Sequence, residues 1–205
     1  MELPIFKCVI DDNPDSDLEV NAIALVDRPA IERNFLAFKD KQLFSADEDR
    51  RIISGPAMLA DFPIYRNDEH HGEYLVTFDA PTIFQIVNKF FKKGFTENFN
   101  LFHNENDVPG GVQLFESFIV DESRGILPMK GFEDAKDGSW FISAKIENDE
   151  VWERVKSGEF KGFSVEGFFK YAKFNGIVKP KPTEEEVLKN IGKMIEDFLS
   201  ATEQP

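Results

Sequence analysis

The sequence predicts a mainly β, α+β fold: an antiparallel sheet or barrel with helices outside it. Three features carry that expectation. Short apolar runs bounded by turn-forming residues recur along the chain, helical spacing is confined to a few segments, and strands and helices do not alternate regularly. A chain of 205 residues with 41% apolar content and 22 phenylalanines can bury one substantial, aromatic-rich core, so a single main domain is expected.

The first apolar stretch runs from Pro4 to Ile10 and ends in the turn-rich "DDNPDSD". "VNAIALVDRPAI" reads as a strand that stops near Asp27, Arg28 and Pro29, because proline cannot donate to a sheet ladder. The charged "KDKQLFSADEDRR" reads as a surface connector. "RIISGPAMLADFPIYR" and "GEYLVTFDA" flank the polar turn "NDEHHG" and predict a hairpin. In "PTIFQIVNKFFKKG", Pro81 suits a first helical turn. Ile83, Ile86, Val87, Phe90 and Phe91 form an apolar stripe, and Gly94 marks the stop.

"ENFNLFH" and "GGVQLFESFIVD" are β-like runs around "NENDVPG", and "GSWFISAKI" is a further strand. "NDEVWERVKSGE" is a short helix with Asn148 as its cap, Val151, Trp152 and Val155 on one face, and Gly158 as its stop. The strand "GFSVEGFF" follows directly. Beyond the linker "KPKP", "TEEEVLKNIGKMIEDFL" opens with a Thr183 to Glu186 capping box and predicts a C-terminal amphipathic helix. The expected division is a main domain over residues 1–176, followed by linker and helix over 177–205.

Charge narrows the function classes. Against 24 Lys and Arg stand 38 Asp and Glu, a net charge of -14, which repels nucleic-acid phosphates and anionic membrane surfaces. The single cysteine, Cys8, cannot form an internal disulfide, and no segment resembles a secretion signal or a membrane span. A cytosolic setting, with no nucleic acid and no membrane as partner, is the expectation.

Ser164 interrupts an apolar strand. A lone serine there is ordinarily a wet residue on an edge strand, and only a base within hydrogen-bond reach would make it a nucleophile. Of the three histidines, His70 and His71 share a solvated turn with Asp68, Glu69 and Glu73, a spacing that matches no established metal-ligand pattern. His103 ends an apolar strand beside a loop containing Pro109, Gly110 and Gly111, which makes it the natural base candidate. For the group that orients the imidazole, Glu116 is the first choice, on the premise that its strand pairs with the one ending at His103. Glu166 is the second, since it shares a strand face with Ser164, although two positions from the nucleophile it could instead shape a substrate cleft. No metal or cofactor is expected.

Two long stretches, "NFNLFHNENDVPGGVQLFESFIVD" and "GSWFISAKIENDEVWERVKSGEFKGFSVEGFF", resemble the XkdF-like serine proteases of tailed phages, relatives of prohead maturation proteases. "IALVDRPAI", "GPAMLADFPIYR" and "GEYLVTFDAPTIFQIVNKFFKK" resemble further blocks of that family in the same order, so the likeness runs from about residue 20 to 172. The resemblance implies a fold like the herpesvirus assemblin protease, a β-barrel surrounded by helices. It also implies His103 as base and Ser164 as nucleophile. Herpesvirus enzymes use a second histidine as third member; none follows His103 here, so an acid must serve or the position is empty. The family's activity implies cleavage of phage scaffold and major capsid proteins, in host cytoplasm inside the assembling procapsid, with a homodimer as a further expectation. Two other readings remain: a non-catalytic scaffold or capsid-binding module on the same fold, and a metal hydrolase using His70 and His71.

Overall fold

A computed structural model describes residues 3–11, 13, 15–29, 45–47 and 50–173. The predicted C-terminal helix and the 177–205 segment lie outside the described residues. Eleven strands and two α-helices follow in order: β1 (Ile5–Val9), β2 (Val20–Val26), β3 (Ser45–Asp47), β4 (Ile52–Met58), β5 (Ile64–Asp68), β6 (Gly72–Thr77), α1 (Ala80–Lys92), β7 (Phe99–Leu101), β8 (Val112–Ile119), β9 (Trp140–Ile146), α2 (Asp149–Lys156), β10 (Gly162–Gly167) and β11 (Lys170–Lys173).

The strands form three sheets among the described residues, ordered β11-β1-β6-β5, β10-β2-β7 and β3-β4-β9-β8. The β-rich α+β class is as expected, but the sheets do not close into the expected barrel. Two parallel pairings, β1 with β6 and β2 with β7, also depart from a purely antiparallel arrangement. The run "RIISGPAMLADFPIYR" breaks at residues 59–63 into β4 and β5, which join different sheets; only its second half makes the β5–β6 hairpin. Part of the presumed connector is strand: β3 pairs antiparallel with β4. The unforeseen β11 pairs with β1, bringing the two ends of the described fold together.

Both helices form where the sequence predicts them, although Phe91, expected on the apolar stripe of α1, is 41% exposed. The Asp79 side chain accepts from Thr82 N at the start of α1, Ile83, Ile86 and Phe90 are fully buried, and Gly94 takes the left-handed conformation just beyond. In α2 the Asn148 side chain accepts from Val151 N, while Val151, Trp152 and Val155 turn inward.

The main core gathers Trp140, Phe90, Phe99, Phe160 and Phe163 with Ile23, Leu25, Ile53 and Ile142. Burial of each such side chain stabilises the fold by about 1.5–3 kcal/mol. Strand β9 is buried on both faces: Trp140 and Ile142 enter the main core, and Phe141 joins a second cluster with Leu59, Val120 and Ala135. One close approach fixes β10 against β2. A Cβ at Gly167 would lie 1.9 Å from Glu19 O, so no side chain fits there, and Phe168 N donates to the same carbonyl.

Candidate active site

The site is built on the three-stranded sheet. Phe163 lies opposite Leu25, which lies beside Leu101; Val165 lies opposite Ile23, which lies beside Phe99. These six form the core face. Side chains alternate along a strand, so the next row, Ser164, Ala24 and Asn100, must point to the other face, together with Glu166 and its partner Ala22. Ser164 is therefore on an edge strand, as a solvated serine would be, yet it is only 4% exposed. The wet-face reading does not hold.

His103 reaches this face through its backbone. Leu101 O accepts from Asn104 N at 3.0 Å, closing a four-residue turn whose central residues Phe102 and His103 have φ of 54° and 60°. Both φ values are those of a type I′ turn, normally filled by Asn and Gly, because a Cβ is crowded there. Left-handed non-glycine residues cost on the order of 1–2 kcal/mol each, so the surroundings must hold the turn. They do so at several points: Phe102 N donates to Leu25 O, Leu101 N to Asp107 O, and Asp107 N to Asn104 O. The Phe102 ring sits 5.2 Å from Phe160, and the Arg154 guanidinium lies over both rings at 5.3 and 4.7 Å. Glu159 holds Arg154 in a two-point ion pair at 2.9 and 2.8 Å, which raises the arginine's pKa further.

The turn delivers His103 Nδ1 to 2.6 Å from Glu166 Oε1. An ionised carboxylate only accepts, so Nδ1 carries the proton and Nε2 is left with its lone pair, the nitrogen that can act as a base. The imidazole is 44% exposed and the carboxylate 19%. The other carboxylate oxygen, Oε2, accepts from Asn100 Nδ2 at 2.6 Å. Among the described residues no hydrogen bond joins Ser164 to His103; the two are linked through Glu166, two positions along β10 from the serine. Such bonds are commonly long without substrate and tighten when one binds.

Glu116 occupies a different place. Its candidacy rested on β7 and β8 pairing, whereas β7 pairs with β2 in one sheet and β8 with β9 in another. A bulge at Phe115 puts Leu114 opposite Ala144 but Glu116 opposite Ser143, turning the carboxylate outward on an edge strand. The bulge explains how an acid fits within an apolar run. The carboxylate at the imidazole is Glu166, the second choice. Asn100 was not foreseen, although its position between Phe99 and Leu101 marks it by simple alternation as a polar residue facing away from the core.

His71 is engaged elsewhere: Nδ1 lies 3.1 Å from Asp68 Oδ1 and the ring packs against Phe6, Tyr74 and Tyr171. Asp68 also accepts from Tyr74 Oη at 2.6 Å and from the backbone N–H of His71 and His70, bonds that hold its carboxyl well below the usual range. Among the described residues no group of three or more His, Cys, Asp or Glu is arranged to hold a metal. None of their helices is long and apolar enough to cross a membrane.

Residues 41–173 match the family described as "Putative phage serine protease XkdF", and the chain belongs to it. The chain is also 26% identical over 155 residues to "Uncharacterized protein YqbD" of Bacillus subtilis (strain 168), a match covering 73% of this chain and 44% of that protein. The chain thus spans less than half the length of this curated relative. No solved structure matches it.

Proposed function

We propose that the protein is a serine endopeptidase of phage head assembly that cuts scaffold and capsid proteins within the immature shell. The observation that carries this reading is the 2.6 Å contact between His103 and Glu166, with Ser164 two residues away on the same strand face. In this reading Ser164 Oγ attacks the peptide carbonyl carbon while His103 Nε2 takes its proton. The protonated imidazole then hands that proton to the departing amine as the C–N bond breaks, and water hydrolyses the acyl-enzyme by the same route. Glu166 orients the imidazole and offsets its transient positive charge. Family membership supports the protease and phage parts of the proposal; the scaffold and capsid substrates, the setting inside a procapsid in host cytoplasm, and pairing into a homodimer extend it. The protease domain would comprise residues 1–176.

The test is co-expression of the wild type and Ser164→Ala with the matching capsid and scaffold proteins, followed by intact-mass measurement. Cleavage by the wild type and its loss in the variant is the expected result. Equal cleavage by both would remove Ser164 from the chemistry. No cleavage by either, with both folded and incorporated into procapsids, would favour a non-catalytic capsid-binding module on the same fold.

A further inference from the structure

We propose that Asn100 is a positioning residue that fixes the plane of the Glu166 carboxylate so that its other oxygen meets His103. The inference rests on the protease reading for its consequence in catalysis, but its geometry stands independently. A carboxylate turns easily about its last side-chain bond, and one contact does not fix its orientation. Here the two oxygens are divided: Asn100 Nδ2 donates to Oε2 and His103 Nδ1 to Oε1, each at 2.6 Å. Both donors come from one short stretch, Asn100 within β7 and His103 in the turn just after it, so the strand that places the imidazole also places the group that aims its acid.

The chemistry of the donor fits that task. An amide orients a carboxylate without neutralising it, leaving the full negative charge for the imidazolium formed in the reaction. A lysine or arginine at 100 would compete for that charge. Only the donor half of the amide is used. Asn100 is 3% exposed and its Oδ1 has no hydrogen-bond partner among the described residues, an arrangement that an apolar side chain would avoid.

The experiment uses the full chain labelled with 15N-histidine, with His70→Gln and His71→Gln assigning the three rings. In the wild type, His103 shows a protected, strongly downfield Nδ1–H resonance and protonation at Nδ1. In Asn100→Ala that resonance broadens or moves, the two tautomers mix, and kcat falls about ten- to hundredfold with KM within about twofold. Asn100→Leu, which keeps the volume but has no donor, shows the same change of the resonance. An unchanged His103 resonance and unchanged kcat in Asn100→Ala would overturn the inference, as would a His103 resonance in Asn100→Leu identical to that of the wild type. The spectra need no substrate, so they decide the orienting role even if Ser164→Ala cleaves like the wild type and the protease reading falls.

Discussion

Phe102 and His103 occupy consecutive left-handed positions that glycine or asparagine would take with less strain, and the second of them is the candidate base. Strain held at a site of this kind is available to aim a side chain. Replacing His103 with asparagine relaxes one of the two residues and removes a partly exposed hydrogen bond to Glu166 worth about 0.5–1.5 kcal/mol. His103→Asn is therefore expected to unfold at the same or higher denaturant concentration than the wild type, with a gain of up to about 1 kcal/mol, while cleavage is lost. A loss of more than about 1 kcal/mol in urea titration would show that the turn carries no strain worth relieving. The sequence pointed to His103 through its strand-end position, and the structure adds the reason for its aim. What spacing could not supply is the turn type, because Phe-His has none of the Asn-Gly chemistry that usually announces it.

At the scale of elements, α1 does more than cover the core. Lys89, buried to 8% exposure near the end of the helix, directs its ammonium at the carbonyls of Asn13, Ser16 and Leu18, at 2.9, 2.8 and 3.2 Å. An ammonium has three protons, and each has an acceptor here. Glu19 lies alongside, 3.6 Å from Lys89 and 2.5 Å from Lys93. This arrangement ties the loop between β1 and β2 to the helix and fixes the entry into the strand opposite Ser164. Lys89→Met keeps the apolar stem but strips those carbonyls of their donor, which is expected to cost about 2–4 kcal/mol and to expose residues 15–18 to limited proteolysis. Unchanged stability and an unchanged cleavage pattern would count against the tie. Helix boundaries were legible from Pro81 and Gly94 in α1 and from the Asn148 cap and Gly158 in α2; the Asp79 cap was not read. Lys89 was not, since a lysine near a helix end reads equally well as a solvated charge.

Across the whole molecule, the β-rich class and most strands could be read from apolar runs and turns, but the sheets to which they belong could not. Parallel pairing of β1 with β6 and β2 with β7 joins distant segments, and nothing local in "NFNLFH" says that its neighbour is "NAIALV". The same gap explains the misplaced emphasis on Glu116: adjacency along the chain was taken for adjacency in a sheet. Cys8, on β1 between β11 and β6, reports on this global assembly. Burial pushes its thiol from an ordinary 9.0 up to about 12, with Arg66 opposing only in part. The native state therefore favours the neutral thiol. Its stabilising contribution is intact below about pH 9 and is lost as pH rises from there towards 12. At pH 8 the thiol should react with a disulfide reagent only as fast as the fold opens, and Cys8→Ala should show a shallower alkaline loss of stability. Rapid labelling of the native protein would contradict that burial.

The close approach at Gly167 has a consequence for how narrowly the candidate site is held in place. If β10 moved along β2 by a single residue, Phe163 and Val165 would face outward and the hydroxyl and carboxylate would be sealed inside, with the backbone outline hardly altered. A carbonyl pressed where a methyl group would have to sit acts as the stop that holds the strand at the right notch. A glycine at the end of the strand, next to Glu166, thus decides which face of the sheet carries Ser164 and Glu166.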